Sequence, residues 1–442
     1  MRLLKLTKKF DLFRLLQFNK ENKAFLIILS IWILWVVLWA WVLPYNMAPD
    51  ECLHFKTAQF FQTHRGFPIA NKDVTFVHEP DCVGTTYITT PFLNYAIASL
   101  FVNLGNNFGI ERDYLAMRMS SVFFGLVFVI FYYLFLKKIF GKNRFLVFSA
   151  LASTIFIPQV TYIFSYLNHE AYSLASSSFL FFVTINFYKL SSDQLKQNKQ
   201  YILLGLAIAL HLFAKTNFLL LLLVPGIVLS YKIWQERKIY FKKLLILISL
   251  ISILSGWFFI RNYILYNDFL GVKIYQLITR SNFGTRTYAQ AGWNFYDILF
   301  KSQWLEETVS SFYGRFGYMT IEIDPVMQWI FRVFVFMGVV GLIKKIISIK
   351  KFYLNNKNAM IYLLFLTLIP INFAISLYNT LYFDFQNQGR YLFPILIPLM
   401  ILVNRGIFEL AENRDSQKTL TIAVITGSIF LSFWSFLYLP KI

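Results

Sequence analysis

The stretch that decides the fold is AFLIILSIWILWVVLWAWVL, residues 24–43, an apolar run of 20 residues that carries no charge. A helix needs about 20 such residues to cross the hydrocarbon core of a bilayer, so the sequence predicts a first transmembrane span here. The run is too long for the apolar core of a signal peptide, and Tyr45-Asn46-Met47 after it is a poor cleavage site. We therefore expect a retained span rather than a cleaved leader.

The composition extends this interpretation to the whole chain. Of its 442 residues, 57% are hydrophobic and only 14% are charged, which is more apolar surface than a soluble domain hides. The sequence predicts an all-α polytopic membrane protein, a single transmembrane domain over 1–442 without a C-terminal soluble domain. The net charge of +20 fits basic loops on the cytoplasmic side, and we expect no nucleic-acid partner.

Eleven apolar runs are candidate spans, and their charged flanks orient them. Besides the first, they are 117–136, 145–162, 171–188, 201–213, 217–231, 244–261, 326–343, 359–378, 391–404 and 419–438. The intervening segments proposed as cytoplasmic hold 27 of the 42 Lys and Arg residues, including the basic stretch 1–23. This asymmetry places the N-terminus in the cytoplasm and two long segments, 44–116 and 262–325, outside.

One segment fits two interpretations. Residues 91–104 are apolar enough to span, but a span here would move the basic stretch 137–144 to the outside. We therefore interpret 91–104 as an interfacial or re-entrant helix within the first outer segment.

A pair of carboxylates follows the first span directly, in Met47-Ala48-Pro49-Asp50-Glu51-Cys52-Leu53-His54-Phe55. Pro49 suits the first position of a helix, which would put Asp50 and Glu51 on the first-turn amides. The pair is then either ordinary helix-start chemistry or part of a site. Asp50 and His54, four residues apart, would share a helix face, as an interfacial histidine or as metal ligands.

Other ionisable groups lie against span ends on the same predicted side. They are Glu170 within Asn168-His169-Glu170, Lys215, Arg261 and Arg390. Charges this close to the membrane are costly and are often functional. The cations suit a lipid-linked phosphate, and a carboxylate suits a general base on a hydroxyl. Asp50 and Glu170 are also candidate ligands for a divalent cation, whereas no Gly-rich phosphate loop, CxxC pair or HExxH motif occurs.

The two outer segments carry further features. Both cysteines, Cys52 and Cys82, lie in the first, so we hypothesise a disulfide that holds the Asp50 loop. The second, 262–325, is rich in aromatic residues and glycines, as expected either of a mobile lid that stacks on sugars or of an interfacial aromatic belt.

Five short motifs, in order, resemble those of the GT-C glycosyltransferase superfamily. The resemblance is strongest to bacterial relatives of protein O-mannosyltransferases and to the lipid A aminoarabinose transferase. It is carried by Pro49-Asp50-Glu51 with His54-Phe55, Ala58 and Arg65-Gly66-Phe67-Pro68; Thr90-Pro91-Phe92-Leu93-Asn94-Tyr95; Asn168-His169-Glu170-Ala171; Gly256-Trp257 with Arg261-Asn262; and Gln388-Gly389-Arg390-Tyr391-Leu392-Phe393-Pro394. Thr90 and Glu170 depart from the family pattern, which has Pro and Asp there.

The resemblance implies a GT-C-like bundle and an activity. Similar enzymes pass a sugar from a polyprenyl-phosphate carrier to a glycan, lipid or protein acceptor, usually by inverting direct displacement. By analogy Asp50 is the base and Glu170 a second acid, while Lys215, Arg261 and Arg390 bind the donor phosphate. Glu51 is grouped with the catalytic acids, and His54, Asn168 and His169 support the site.

The expected location is a bacterial cell membrane, with the site on its extracytoplasmic face. A transporter or flippase of a lipid-linked or anionic substrate is the alternative, and a non-enzymatic scaffold subunit is a third interpretation. Charged groups at the bilayer midplane would favour transport.

Overall fold

The computed structural model describes residues 20–64, 66–236, 241–348 and 358–439. Three sequence-based predictions concern parts of the chain outside these ranges. They involve the basic stretch 1–19, Arg65 of the first motif, and the basic residues within 237–240 and 349–357.

The first half of the chain builds a helical core with a small outer subdomain. Its elements are α1 (Lys20–Val42), α2 (Glu51–Thr63), β1 (Phe76–Glu79), β2 (Cys82–Thr85), α3 (Leu93–Asn107), α4 (Asp113–Phe140), α5 (Arg144–Ile155), α6 (Pro158–Ser165), α7 (His169–Tyr188), α8 (Ser192–Leu195) and α9 (Asn198–His211). The predicted interfacial segment 91–104 corresponds to α3.

The second half adds helices around this core and a second outer subdomain. Its elements are a 3-10 helix (Thr216–Leu222), α10 (Leu223–Glu236), α11 (Phe241–Ile251), a π-helical turn (Ser252–Gly256), α12 (Trp257–Tyr266), α13 (Val272–Phe283), a 3-10 turn (Ala289–Ala291), a π-helical turn (Asp297–Lys301), α14 (Trp304–Tyr313), β3 (Arg315–Phe316), β4 (Ile321–Glu322), α15 (Pro325–Ser348), α16 (Ala359–Tyr382), a 3-10 helix (Gly389–Ile395), α17 (Leu396–Leu410) and α18 (Arg414–Phe436).

The all-α polytopic fold is confirmed, with fewer clear spans than the eleven predicted. Within the described ranges, eight helices are long and apolar enough to cross a membrane, or nine if the bent pair α5–α6 counts as one span. The two remaining predictions fall on α7 and α9. At about 1.5 Å per residue, the 14 residues of α9 reach only about 21 Å. The serine-rich α7 is buried along nearly its whole length, so it packs against protein rather than lipid.

Local sequence explains where the central helices begin and end. Helix α4 has Asp113 in its first turn, Lys137 and Lys138 in its last, and Gly141 with a positive φ after it. These charges complement the helix dipole, and glycine accepts the left-handed conformation without strain. Pro158 starts α6 after a 60° bend, because proline cannot continue the hydrogen bonding of α5.

Two small β-hairpins, not predicted from the sequence, stand in the outer subdomains. Strand β1 pairs antiparallel with β2, with Glu79 opposite Cys82, and Arg315 of β3 stands opposite Glu322 of β4. The predicted disulfide is present, because Cys52 of α2 is bonded to Cys82 of β2. It ties α2, and with it the Asp50 loop, to the first hairpin.

Candidate active site

Asp50 lies at the junction between the first span and α2, in an unusual conformation. The helix begins at Glu51, so the expectation that Pro49 starts it is wrong by two residues. Asp50 has a φ of 63°, in the left-handed region, and its side chain caps no helix amide. This conformation costs about 1–3 kcal/mol for a residue other than glycine. It leaves the carboxylate, 35% exposed, available to a cavity instead of to the helix.

Glu51 points the other way and is fully engaged. Its two carboxylate oxygens accept hydrogen bonds from Arg118 at 2.6 and 2.7 Å, and the Asn46 amide donates to it at 3.0 Å. Arg118, itself completely buried, also donates to the carbonyls of Ala40, Leu43 and Pro44. The pair therefore fixes the chain between α1 and α2. These contacts give Glu51 a structural role, and its predicted catalytic role stays a prediction.

Four predicted site residues meet in one line of ion pairs. Arg390 lies 3.2 Å from the Asp50 carboxylate and 3.7 Å from that of Glu170. Glu170 in turn accepts a 2.6 Å hydrogen bond from Lys215. Glu170 and Arg390 are almost wholly buried, whereas the Lys215 side chain is 21% exposed. Residues 340 positions apart in the sequence thus share one site.

Helix starts and the segment after α9 position these side chains. Asn168 caps α7 by accepting from the Ala171 amide, and its own side-chain amide donates to the carbonyls of Ile163 and Tyr166. Its supporting role is therefore to hold Glu170 on the first turn of α7. The Lys215 amide donates to the Ser173 hydroxyl, which holds Lys215 beside α7.

The histidines pack behind the ion pairs as neutral rings. His54 shares a 2.7 Å hydrogen bond with the Tyr95 hydroxyl and stacks on Tyr87 with ring centroids 4.1 Å apart. Burial lowers the pKa of His54 to about 3, so the ring is uncharged at neutral pH. His169 lies edge-on to His54 and contacts the Thr90 hydroxyl at 3.3 Å.

Arg261 is the predicted phosphate ligand that the fold does not bring to this group. Its guanidinium donates to the carbonyls of Pro68 at 2.5 Å and Phe67 at 3.4 Å. The neighbouring Asn262 donates to the Thr89 carbonyl at 3.2 Å. The Arg-Asn motif thus braces the first outer segment against α12.

The ion pairs open into a cavity of about 240 Å³. Asp50, His54, His169, Lys215 and Arg390 line it. Its other wall comes from the first outer segment, from α13 and from the segments on both sides of Arg390. These parts contribute residues that the sequence analysis did not place in a site: Tyr87, Tyr275, Gln276, Thr279, Arg280, Asp384 and Tyr391. Helix α13 belongs to the predicted lid segment 262–325. Periodicity does not identify these residues, since they come from separate elements that meet only in the fold.

The arrangement does not fit a metal shared by Asp50 and Glu170. The Arg390 guanidinium already stands between the two carboxylates. Among the described residues, no group of three or more His, Cys, Asp or Glu side chains could hold a metal ion. A divalent cation stays an untested expectation, and no chemistry is derived from it.

A family comparison supports the sequence resemblance. Residues 69–268 match the family model described as dolichyl-phosphate-mannose-protein mannosyltransferase. This range includes the motifs around Thr90, Glu170 and Arg261 and excludes those around Asp50 and Arg390. The predicted resemblance to GT-C glycosyltransferases is confirmed by this match, while the sequence has no significant match among curated proteins.

The solved structures with a detectable likeness to this chain include the following three. ArnT from Cupriavidus metallidurans bound to undecaprenyl phosphate has 10% identity and a TM-score of 0.39, over 87% of this chain and 78% of that one. The Archaeoglobus fulgidus oligosaccharyltransferase tethered to an acceptor peptide has 12% identity and a TM-score of 0.48, over 93% and 55%. The oligosaccharyltransferase AglB of the same organism, with an inhibitory peptide and dolichol-phosphate, gives 12% and 0.44, over 94% and 56%. Scores this low say nothing of this chain's chemistry.

Proposed function

Starting from the resemblance to GT-C glycosyltransferases, we propose that this protein transfers a sugar from a polyprenyl-phosphate carrier to an acceptor hydroxyl at the extracytoplasmic face of a bacterial cell membrane. The observation that carries the proposal is the line of ion pairs around Arg390. It sets two cations and an accessible carboxylate on one cavity. These are the groups that such a transfer requires.

The cations suit the carrier phosphate. A polyprenyl-phosphate sugar is a phosphodiester with one negative charge, and loss of the sugar leaves a phosphate monoester with a second. Lys215 and Arg390 both line the cavity and stabilise that added charge as the bond breaks. Buried donors that are already positioned contribute most, since little reorganisation is needed during the reaction.

Asp50 serves as the general base. It accepts the proton of the acceptor hydroxyl, whose oxygen forms a bond to the anomeric carbon. The bond between that carbon and the phosphate oxygen breaks, and the electron pair leaves with the phosphate. A single displacement of this kind inverts the anomeric centre. Glu170 is not part of the cavity lining and pairs with both cations.

The decisive experiment compares wild type with Asp50→Asn in purified protein. We would measure thermal stabilisation by a panel of undecaprenyl-phosphate sugars, and release of undecaprenyl phosphate with candidate acceptors. Donor stabilisation in both proteins, with release by wild type and at least a 100-fold slower release by Asp50→Asn, is the expected result.

The matched control is Asp193→Asn, an exposed aspartate on the predicted cytoplasmic side, which should behave like wild type. Absence of stabilisation by every donor, in protein shown to be folded, would reject the proposed function. Donor binding without release, combined with movement of the lipid between leaflets by both proteins, would establish the transporter alternative.

A further inference from the structure

Asp384 is an acidic side chain of the cavity that the transfer step does not use. It lies between α16 and the 3-10 helix that carries Arg390, and it lines the same cavity as Asp50. Among the described residues it takes part in no ion pair, and the nearby Phe385 amide favours its charged form. The nearby Arg280 instead donates to the backbone carbonyls of Tyr382 at 3.3 Å and Phe383 at 3.0 Å.

The surroundings leave this carboxylate able to accept hydrogen bonds from a ligand in the cavity. Asp384 is open to solvent through the cavity, yet enough atoms surround it that burial raises its pKa, and the charge of Asp50 raises it further. A carboxylate in such a place gains from any ligand that supplies hydroxyl or N–H groups. Three cations and two carboxylates line the cavity, which favours an uncharged polar ligand over a cation; they are Lys215, Arg280 and Arg390, and Asp50 and Asp384.

An aromatic face stands in the same cavity. The Tyr275 ring stacks on Tyr87 with centroids 5.4 Å apart and planes 17° apart, and Tyr87 stacks in turn on His54. A sugar ring has an apolar face of C–H groups and a rim of hydroxyls, so it fits between an aromatic face and a carboxylate at its edge. With a volume of about 240 Å³, the cavity is large enough to admit one sugar ring.

We infer that Asp384 accepts hydrogen bonds from the hydroxyls of an uncharged donor sugar, beside the Tyr275 ring, and so determines which sugar the enzyme accepts. This inference rests on the proposed function, because that function places the carrier phosphate at Lys215 and Arg390. With the phosphate there, the sugar attached to it enters the volume between Asp50 and Asp384.

The test separates sugar recognition from phosphate binding. We would measure Kd by quenching of tryptophan fluorescence for two ligands, undecaprenyl phosphate and the undecaprenyl-phosphate hexose that wild type binds best. Asp384→Ala should weaken binding of the hexose donor by roughly 10- to 100-fold, since a hydrogen bond to a charged group is lost. Binding of undecaprenyl phosphate should stay equal or tighten, because a negative charge near an anion is removed.

Asp384→Asn and a donor series complete the design. Asparagine keeps a hydrogen-bond acceptor, so the Kd of Asp384→Asn for the hexose donor should lie between that of wild type and that of Asp384→Ala. In a series of donors that each lack one hydroxyl, one should bind wild type more weakly than the complete sugar does. The same donor should bind Asp384→Ala as tightly as the complete sugar does. Asp193→Ala is the control and should leave both Kd values unchanged.

Each remaining outcome is informative. The inference would be overturned if Asp384→Ala bound undecaprenyl phosphate and the hexose donor more weakly by the same factor. An unchanged Kd for the hexose donor would overturn it as well. Preference of wild type for an amino-sugar donor over every neutral hexose would overturn it too. If wild type binds neither undecaprenyl phosphate nor any donor, the proposed function itself fails.

Discussion

At the scale of single residues, Arg118 has the most complete set of contacts in the outer half of the bundle. A guanidinium carries five N–H groups, and five hydrogen bonds join Arg118 to Glu51 and to the carbonyls of Ala40, Leu43 and Pro44. A buried charge so engaged holds its surroundings in one geometry. Here the surroundings are the loop in which Asp50 adopts its left-handed conformation.

Replacing Arg118 tests this role. Arg118→Met leaves the Glu51 carboxylate and three carbonyls buried without their donor, which costs about 3–5 kcal/mol for such a pair. We expect a clear fall in the thermal unfolding midpoint in detergent. Arg112→Met, at an exposed arginine just before α4, is the control and should shift the midpoint little. Equal midpoints for the two variants would show that the pair does not brace the loop.

His54 predicts a pH dependence of stability. Its pKa is about 3 when folded and about 6.5 in an unfolded chain, so between these values the unfolded state binds more protons. The free energy of unfolding should therefore fall as the pH drops from 7 towards 3. His54→Asn should be less stable than wild type at pH 7 and should lose less stability between pH 7 and pH 5.

The comparison needs an exposed histidine as its control. His64, at the end of α2, is exposed, and His64→Asn should keep the slope of wild type. Midpoints measured at half-unit pH steps give the three slopes. A wild-type slope in His54→Asn would mean that the folded protein does not hold this ring neutral.

Sequence reasoning identified four residues that the structure brings together, included one that lies elsewhere, and missed another. Asp50, Glu170, Lys215 and Arg390 lie against span ends on one predicted side, and the structure brings them together. Arg261 met the same criterion and lies elsewhere, because position along the membrane normal does not specify position around the bundle. Arg118 was missed, although a lone arginine at the start of an apolar run was a usable signal.

At the scale of elements, α13 closes the cavity and is fixed at both ends. Gly271, with a φ of 70°, starts it against the first outer segment, where the Thr89 hydroxyl donates to the Gly271 carbonyl at 3.0 Å. Arg280, in its last turn, donates to the carbonyls after α16. The wall that carries Tyr275 therefore depends on contacts between two outer segments far apart in sequence.

Two glycines that flank α13 give a matched pair of substitutions. A Cβ on Gly271 would lie 1.9 Å from the Thr89 carbonyl oxygen, whereas one on Gly284 would have nothing within 4 Å. Both have a positive φ, so alanine strains both backbones alike. We expect Gly271→Ala to lose more stability than Gly284→Ala, by about 1–3 kcal/mol, because it must also relieve the clash.

Thermal unfolding midpoints measure the loss of stability, and donor affinity measures the effect on the cavity wall. Gly271→Ala should weaken donor binding as well, since the wall bearing Tyr275 must move. Equal effects of the two substitutions on both quantities would show that α13 does not need its contact with Thr89.

The elements also show why the count of spans differed from eleven. Within the described ranges, eight of the predicted spans are long and apolar enough to cross a membrane, with the bent α5–α6 as a ninth. Helix α7 is surrounded by protein, so its serines need no apolar lipid-facing surface. The two hairpins are too short to give a period-2 pattern, and tertiary contacts such as the disulfide determine them.

At the scale of the whole molecule, the site residues gather at one end of the bundle. The ion pairs, the disulfide and α13 all belong to the side of the bundle that the charge distribution predicts to be outside. The location of the active site therefore depends on the topology.

Single cysteines test that topology. The native cysteines are bonded to each other, so an added thiol is the reactive one. A membrane-impermeant maleimide added to intact cells should label Asn107→Cys, exposed at the end of α3, and should not label Asp193→Cys, exposed beyond α7. After permeabilisation both should react. Labelling in the reverse order would place the cavity in the cytoplasm and reject transfer at the outer face.

The pairing of Lys215 and Arg390 with carboxylates has a consequence for turnover. In the proposed transfer, Lys215 and Arg390 are already paired before any ligand arrives, so an incoming phosphate competes with Glu170 and Asp50 instead of filling an empty positive site. Dissolved chloride or inorganic phosphate gains little by entering. When the spent carrier leaves, the same carboxylates return to the cations and compensate for the lost contacts. The resting ion pairs thus act as an internal competitor that keeps a doubly charged product from remaining bound.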